Sequence, residues 1–542
     1  MTGAAALLFA TLAVPLAMLL ACASRRARHH LPRLLALAPV PSLAAALLVP
    51  EGVLMVLPEP PFRMTLALDP PGAMLLGAAA VLWILAGAYA SAYLRGDPNA
   101  GRFAEWWLLT LAGSLGVFIA ADLVTFYLTY SVVSLAAWGL IVHDGTAASR
   151  RAGIIYVALA VLGEAFLLMA FVFLATAVSD GSLLIRDAVA ALPTSPWRGA
   201  AMTLLILGFG LKIGLVPGHV WMPLAYTAAP IPAAAALSGA AVKAGVIGFI
   251  RFLPFGVAMP QWGEAMAAAG LFSAFYGVLV GITQENPKTV LAYSSISQMG
   301  LLSAALGMGL AVGDSSTVLG TSFSAAHHVL VKGGLFLAIG AAAAGSARLW
   351  RVLIPAAVLA LGLGGLPLTG GALAKLAVKA QFGESIVGTL AALSAAGSTL
   401  LMLHFLRRLA QTAPRASAAA PAGYTWPWLA MPVIAVAVPW ALFSATGSGS
   451  PFQVLAPAPF WSALWPVLIG GVLALGLWWW TDRLPQMPAG DIVVAGEAAI
   501  RSVVPWAEAI ERADAFLRRW PVASLLLLSL VIVLAAAMVG AG

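Results

Sequence analysis

Residues 211–245 read LKIGLVPGHVWMPLAYTAAPIPAAAALSGAAVKAG. The stretch holds no acid, two lysines (Lys212 and Lys243), one histidine (His219) and prolines at 217, 223, 230 and 232. About 20 apolar residues suffice to cross a bilayer as a helix, so these residues are long enough to cross more than once. Pro217-Gly218 and Pro223 interrupt the helical hydrogen-bond ladder, which lipid tolerates only where the freed groups line a polar cavity. A lysine inside such a run costs roughly 2.5–3.5 kcal/mol on insertion scales. The stretch therefore reads as a broken membrane helix followed by a second helix with a buried cation.

The rest of the chain fits that setting. It has 542 residues, 62% hydrophobic and 9% charged, where soluble proteins carry about 25% charged residues. Too few charges remain to coat several soluble domains, and disorder needs low hydrophobicity. The single Cys22 excludes a disulfide scaffold, and the +8 net charge points to loops on one membrane side rather than to nucleic acid. Spans are expected near 4–22, 32–50, 71–94, 105–121, 123–142, 153–177, 199–222, 232–252, 264–284, 289–310, 318–342, 352–380, 386–407, 428–446, 461–480 and 521–540. The expected fold is an all-α polytopic membrane protein of about 16 transmembrane helices. Long strands are not expected, and the charged, amphipathic segment 495–519 reads as a surface helix. The first run lacks a basic n-region and is followed by Arg25, Arg26 and Arg28, so it reads as a retained span.

Loops after odd-numbered spans hold 19 basic residues and loops after even-numbered spans hold 4, Arg63, Arg186, Arg198 and Arg251. That bias places both termini on the periplasmic side of a bacterial inner membrane. The other five basic residues, Lys212, Lys243, Lys332, Lys375 and Lys379, lie inside apolar segments. Lysine, unlike arginine, can give up its proton when desolvated, so such a set reads as a proton path. Snorkelling to the interface suits Lys379 but not Lys212 or Lys243.

Glu164 is the one carboxylate clearly in mid-span, either a structural hydrogen-bonding group or a partner for Lys212. His219, His327, His328 and His404 also fall in spans or their broken ends, where imidazole can exchange protons near neutral pH. His327, His219 and His404 are candidates for proton uptake or release. No metal site is expected, since adjacent His327 and His328 point to different helix faces and no acidic cluster joins them. No cofactor is expected either, as no nucleotide loop, iron–sulfur cysteine set or flavin fingerprint is present.

A second interrupted segment, GLGGLPLTGGALAK, has Pro367 and Gly370-Gly371 before Lys375. Matched interruptions in two halves are a pointer to an ion site in transporters. Glu164 to His328 is 164 residues, Lys212 to Lys375 is 163, and Lys243 to His404 is 161. These offsets suggest two five-helix repeats, inverted because five is odd. The expected organisation is N-terminal helices in 1–104, the first repeat in 105–252, the second in 264–407 and C-terminal helices in 428–542.

At these motifs the sequence resembles the antiporter-like subunits of respiratory complex I, Mrp-type cation/proton antiporters and group 4 membrane-bound hydrogenases. The matching stretches are 211–245, ENPKTVLAYSSISQMG (285–300), HHVLVKGGLFL (327–337) and GLPLTGGALAK (365–375), and the resemblance covers roughly 70–410. Ala-Pro followed by Leu237-Ser238-Gly239 is similar to the Mrp D and hydrogenase branch. The resemblance implies a fourteen-helix core with two inverted five-helix repeats, here with two further C-terminal spans. It makes Lys212 and Lys375 the broken-helix lysines, Lys243 the central-axis lysine, and His328 with Lys332 the family's His-x-x-x-Lys pair.

Two departures stand out. The family's Phe-Trp-Glu-Leu-Met-Ser-Leu is here Thr129-Tyr130-Ser131-Val132-Val133-Ser134-Leu135, so Ser131 occupies the glutamate position. The family's Pro-Leu-Ala-His is Pro223-Leu224-Ala225-Tyr226. Glu164, one helix away, is the expected replacement carboxylate; the rival is a disabled first half. The implied function is a proton-translocating subunit of a multi-subunit inner-membrane complex, with Na⁺ as a candidate exchange ion. The implied partners are other membrane subunits and lipid, with redox chemistry left to them. The alternative is a non-transporting docking subunit.

Overall fold

A computed structural model describes residues 3–57, 63–345, 348–414, 421–480, 485–494 and 496–497. The chain divides into two compact units, Met1–Ala489 and Gly490–Gly542, and the first carries all of the buried lysines and histidines. Apart from residues 496–497, the surface helix expected at 495–519 and the span expected at 521–540 lie outside the described residues.

The helices in order are α1 (Gly3–Ala21), α2 (Arg25–His30), α3 (Val40–Leu48), α4 (Pro70–Tyr93), α5 (Ala100–Ile119), α6 (Leu123–Ile141) and α7 (Ala147–Ala177). Next come α8 (Ile185–Ala191), α9 (Arg198–Ile213), α10 (Trp221–Ala228), α11 (Ile231–Ala236), α12 (Lys243–Phe252), α13 (Pro260–Gly281) and α14 (Pro287–Val312). The last six are α15 (Thr317–Ala344), α16 (Trp350–Gly364), α17 (Gly370–Phe382), α18 (Ile386–Gln411), α19 (Ala422–Leu442) and α20 (Pro457–Trp480).

Among the described residues, eleven helices are long and apolar enough to span a membrane, α11 through α12 counting as one. The span expected near 32–50 is part of a bent element. Arg25–Arg33 and Leu35–Leu48 form a pair bent by 70°, and Pro32, Pro39 and Pro41 remove amide donors around the bend. The expected spans at 199–222 and 352–380 are each two helices, broken where proline and glycine predicted. A short antiparallel pair joins Leu54–Leu57 (β1) to Met64–Ala67 (β2), which leaves the expectation of no long strands intact. Thr65 donates its amide to Asp122 Oδ2 at 2.6 Å, so the α6 N-cap residue also holds β2.

The core is the set of helices wrapped around α15, which is buried along its whole apolar window, as is 231–252. α7, α19 and α20 are largely exposed and form the rim. Close approach comes from glycine where α13 meets α14. A Cβ on Gly270 would lie 2.5 Å from Gly300 O, and one on Gly277 would lie 2.6 Å from Tyr293 O. Only a residue without a side chain lets the backbones come this near.

One buried junction fixes the far end of α12. Arg251 donates to Asp69 Oδ1 at 2.7 Å and Oδ2 at 3.2 Å, and to the carbonyls of Val117, Phe118 and Ala120 at 2.9, 2.7 and 2.8 Å. The guanidinium thereby satisfies the last carbonyls of α5, which no helical amide can reach. Burial alone would raise the Asp69 carboxyl, but Arg251 and the Gly72 amide hold it below the usual carboxylate range.

Candidate functional site

Lys212 sits on the last turn of α9, which Gly214 ends with a left-handed φ of 73°. A Cβ there would meet the Met222 side chain at 2.7 Å, so the break is built for glycine. Lys212 Nζ donates to Ser134 Oγ at 2.7 Å and stands 5.3 Å from the Tyr130 ring centroid. Tyr156 Oη donates to the Ser134 carbonyl at 2.7 Å. Glu164 projects from α7 toward α9, is 7% exposed and couples electrostatically to Lys212, with Ser131 beside it. Glu164 Oε1 and Ser131 Oγ are both buried, and the Ser131 hydroxyl is a hydrogen-bonding neighbour of the Glu164 carboxyl.

Lys243 follows a π-helical turn, Leu237–Ala241, that joins α11 to α12. Such turns are rare and often mark functional positions. Lys243 is fully buried, and its Nζ lies 2.8 Å from His328 Nδ1 and 3.4 Å from the Ser238 carbonyl. A cationic lysine donating to Nδ1 requires imidazole with its proton on Nε2, and His328 Nε2 is buried without a partner. Lys332, one turn along α15, donates to the Leu291 carbonyl at 3.1 Å and feels the charge of Lys243. Among the described residues no acid is an electrostatic neighbour of this trio. Two amines and an imidazole packed this closely compete for charge, since each disfavours a positive charge on its neighbours.

In the second half, α16 ends at Gly364, Gly365 takes φ of 89°, and Leu368 holds φ of 69° before α17 begins. A leucine in the left-handed region marks a strained turn. Lys375 Nζ donates to the Gly364 carbonyl across this break. A small cavity of about 40 Å³ is lined by Lys375, His327 and His328, with Gln298, Ser324 and Ser398 on its wall. Lys375 also borders a second cavity of about 420 Å³, shared with Lys379, Glu384 and Thr389.

The structure thus brings Lys243, His328 and Lys332 together, leaves Glu164 within electrostatic range of Lys212, and places His327 and Lys375 on one cavity. His219 is fully buried, with its ring 5.0 Å from Tyr276 and 6.3 Å from Tyr293. His404 lies toward the arginine end of α18, with Nε2 2.8 Å from the Gln284 carbonyl. Tyr226 is buried in edge contact with Trp221 and Phe336. Lys379 is exposed.

Polar groups that the sequence reading passed over also line the core. Ser238 Oγ lies 3.2 Å from Ser295 Oγ, and Gln298 donates to Ser398 at 2.9 Å. Lys288, read as a loop cation, folds back to donate to the Thr227 and Ala229 carbonyls at 2.8 and 2.6 Å. Their signal was the run of serines and a glutamine within the apolar stretch 291–300.

Comparison with known proteins agrees with this architecture. The chain is 30% identical over 299 residues to hydrogenase-4 component B of Escherichia coli, covering 52% of this chain and 44% of that protein. It is 32% identical over 296 residues to NADH-quinone oxidoreductase subunit N of Desulforudis audaxviator, covering 52% and 56%. A Na⁺/H⁺ antiporter subunit A1 of Staphylococcus aureus is 30% identical over 270 residues, covering 47% and 33%. The chain therefore spans about half the length, or less, of these curated relatives. Among solved structures, the Mrp complex from Dietzia sp. matches 99% of this chain and 63% of the matched chain, with a TM-score of 0.78 and 22% identity. A chain of the membrane-bound sulfane sulfur reductase, an archaeal respiratory complex, matches 98% of this chain and 99% of its own length, with a TM-score of 0.69 and 21% identity. Both likenesses establish the fold. Residues 120–400, more than half of the chain, match the family described as NADH:quinone oxidoreductase/Mrp antiporter, transmembrane, and the chain belongs to that family.

Proposed function

We propose that this chain is a proton-translocating antiporter-like subunit of a multi-subunit membrane complex. The observation that carries the reading is the 2.8 Å contact between Lys243 and His328, with His328 opening onto the cavity that Lys375 borders. Protons would pass among Lys243, His328 and Lys332 and cross the cavity to Lys375, with His327 on its wall. Glu164 and Lys212 form the corresponding station in the first half, where Glu164 replaces the carboxylate missing at Ser131. His219 and His404 flank the route as candidates for uptake or release. The two broken helices support the two inverted repeats expected in 105–252 and 264–407.

The partners are other membrane subunits, by analogy with the hydrogenase, quinone oxidoreductase and antiporter subunits to which the chain is similar. Na⁺ is a candidate exchange ion because one relative carries a Na⁺/H⁺ antiporter name. The loop charge bias supports a bacterial inner membrane with both termini in the periplasm. Ser131 favours one competing reading, a subunit that docks partners without transporting.

Proton flux in membrane vesicles bearing the assembled complex separates the two. Lys212→Ala, Lys243→Ala and Lys375→Ala should abolish flux while co-purifying subunits stay unchanged. Unchanged flux in all three would establish the docking reading. Glu164→Gln should lose most of the flux, and a fully active Glu164→Gln variant would remove Glu164 from the route.

A further inference from the structure

Lys288, Leu291, Ser295 and Gln298 are spaced three, four and three residues apart, so they share one face of α14. Each takes part in a polar contact across that face. Lys288 Nζ meets the Thr227 and Ala229 carbonyls and feels the charge of Asp144 on the loop after α6. The Leu291 carbonyl accepts from both Ser295 Oγ, at 3.0 Å, and Lys332 Nζ, at 3.1 Å. Ser295 lies beside Ser238, whose carbonyl faces Lys243. Gln298 lines the cavity shared by His328 and Lys375.

Ten residues of helix rise about 15 Å. That is half the thickness of a hydrocarbon core of about 30 Å. The stripe therefore runs from the end of α14 near Asp144 to the level of the Lys243–His328–Lys332 cluster. Thr227 Oγ1 and Thr289 Oγ1, 2.9 Å apart, stand beside its first turn, and buried Tyr226 is next to Thr227.

We propose that this face of α14 is a proton-uptake line reaching the Lys243–His328–Lys332 cluster without passing Lys212. Lys288 is its first acceptor and Ser295 its last hydroxyl before the trio. Lys288 receives a proton from water at the Asp144 mouth and releases it along the hydroxyls of Thr289 and Ser295 and intervening water. Lys332 or Lys243 accepts it, and the cluster passes one on to the Lys375 cavity. The line rests on the proton-translocating function proposed for the chain. It gives the central cluster a supply of its own in a chain whose first half has lost the family's glutamate.

The test uses vesicles containing the full complex, with flux read by a pH-sensitive dye under an imposed gradient. Lys288→Arg keeps the cation and the donors to the two carbonyls but cannot release a proton. The uptake line predicts that Lys288→Arg and Lys288→Met both slow flux at least tenfold, and Ser295→Ala at least threefold, with subunit composition unchanged. Wild-type flux in Lys288→Arg makes Lys288 a helix cap and overturns the proposal. If Lys288→Met fails to assemble, Ser295→Ala, which removes a single oxygen, decides: wild-type flux overturns the line. Lys243→Ala separates the two levels of inference. If it too leaves flux intact, the translocation reading has failed; if it abolishes flux while Lys288→Arg and Ser295→Ala are normal, only the α14 line has failed.

Discussion

Replacing Arg251 by Met removes the cation at the end of α12 while keeping much of its apolar stem. Five hydrogen bonds disappear, two to Asp69 and three to the final carbonyls of α5. Breaking a buried ion pair by deleting one partner costs about 3–5 kcal/mol. The Arg251 side chain is 8% exposed but that of Asp69 is 41% exposed, so water can partly rehydrate the orphaned carboxylate. The carbonyls are less favoured, each costing about 1–3 kcal/mol when left bare, though such terms are not additive. We therefore expect the Arg251→Met variant to be destabilised by about 3 kcal/mol. Asp69→Asn, which keeps the arginine and its carbonyl contacts, should cost about 1–2 kcal/mol. Unfolding of the purified protein in mixed micelles by SDS titration gives both values, and the double variant gives their coupling. A coupling indistinguishable from zero, or an Arg251→Met variant within about 0.5 kcal/mol of the parent, would refute the argument, since surface substitutions stay within that range.

The same geometry sets further expected outcomes. Gly270→Ala inserts a Cβ 2.5 Å from Gly300 O, so α13 and α14 must separate, and the cost should be about 1–3 kcal/mol by the same titration. Lys375→Arg retains charge but not proton release, and should abolish vesicle flux as fully as Lys375→Ala. The Asp97 carboxyl would be raised by its partial burial, but its bonds to His143 and the Asn99 amide hold it below the ordinary range. A depressed carboxylate stabilises the folded state above its unfolded value of about 3.9 and loses that contribution as pH falls through the folded value. Asp97→Asn and Asp69→Asn should accordingly be less stable than the parent at pH 7, where the carboxylates contribute fully, and should show a flatter decline in stability below about pH 4.

Much of this fold is legible from residue chemistry. Pro217-Gly218 and Gly370-Gly371 mark the breaks beside Lys212 and Lys375 because proline and glycine act on the local backbone. The meeting of Lys243 with His328 was accessible only through the family likeness, since 85 residues separate them. Local pattern does not carry side-chain partners across such distances. Asp69 and Arg251, 182 residues apart, illustrate the same limit. Lys288 was misjudged for another reason. Its position at a helix start suits a loop cation, and only the approach of α10 supplies the carbonyls that draw it inward. The short strand pair was not legible because two four-residue strands among prolines give too short an alternation to register against helical runs.

The glycine contacts between α13 and α14 have a mechanical meaning. Two helices whose backbones touch cannot slide or rotate past one another without opening a gap, so the pair behaves as a strut. The stripe from Lys288 to Gln298 is borne on that strut. Anything that pushed α13 and α14 apart would therefore carry the whole stripe with it, rather than one residue at a time.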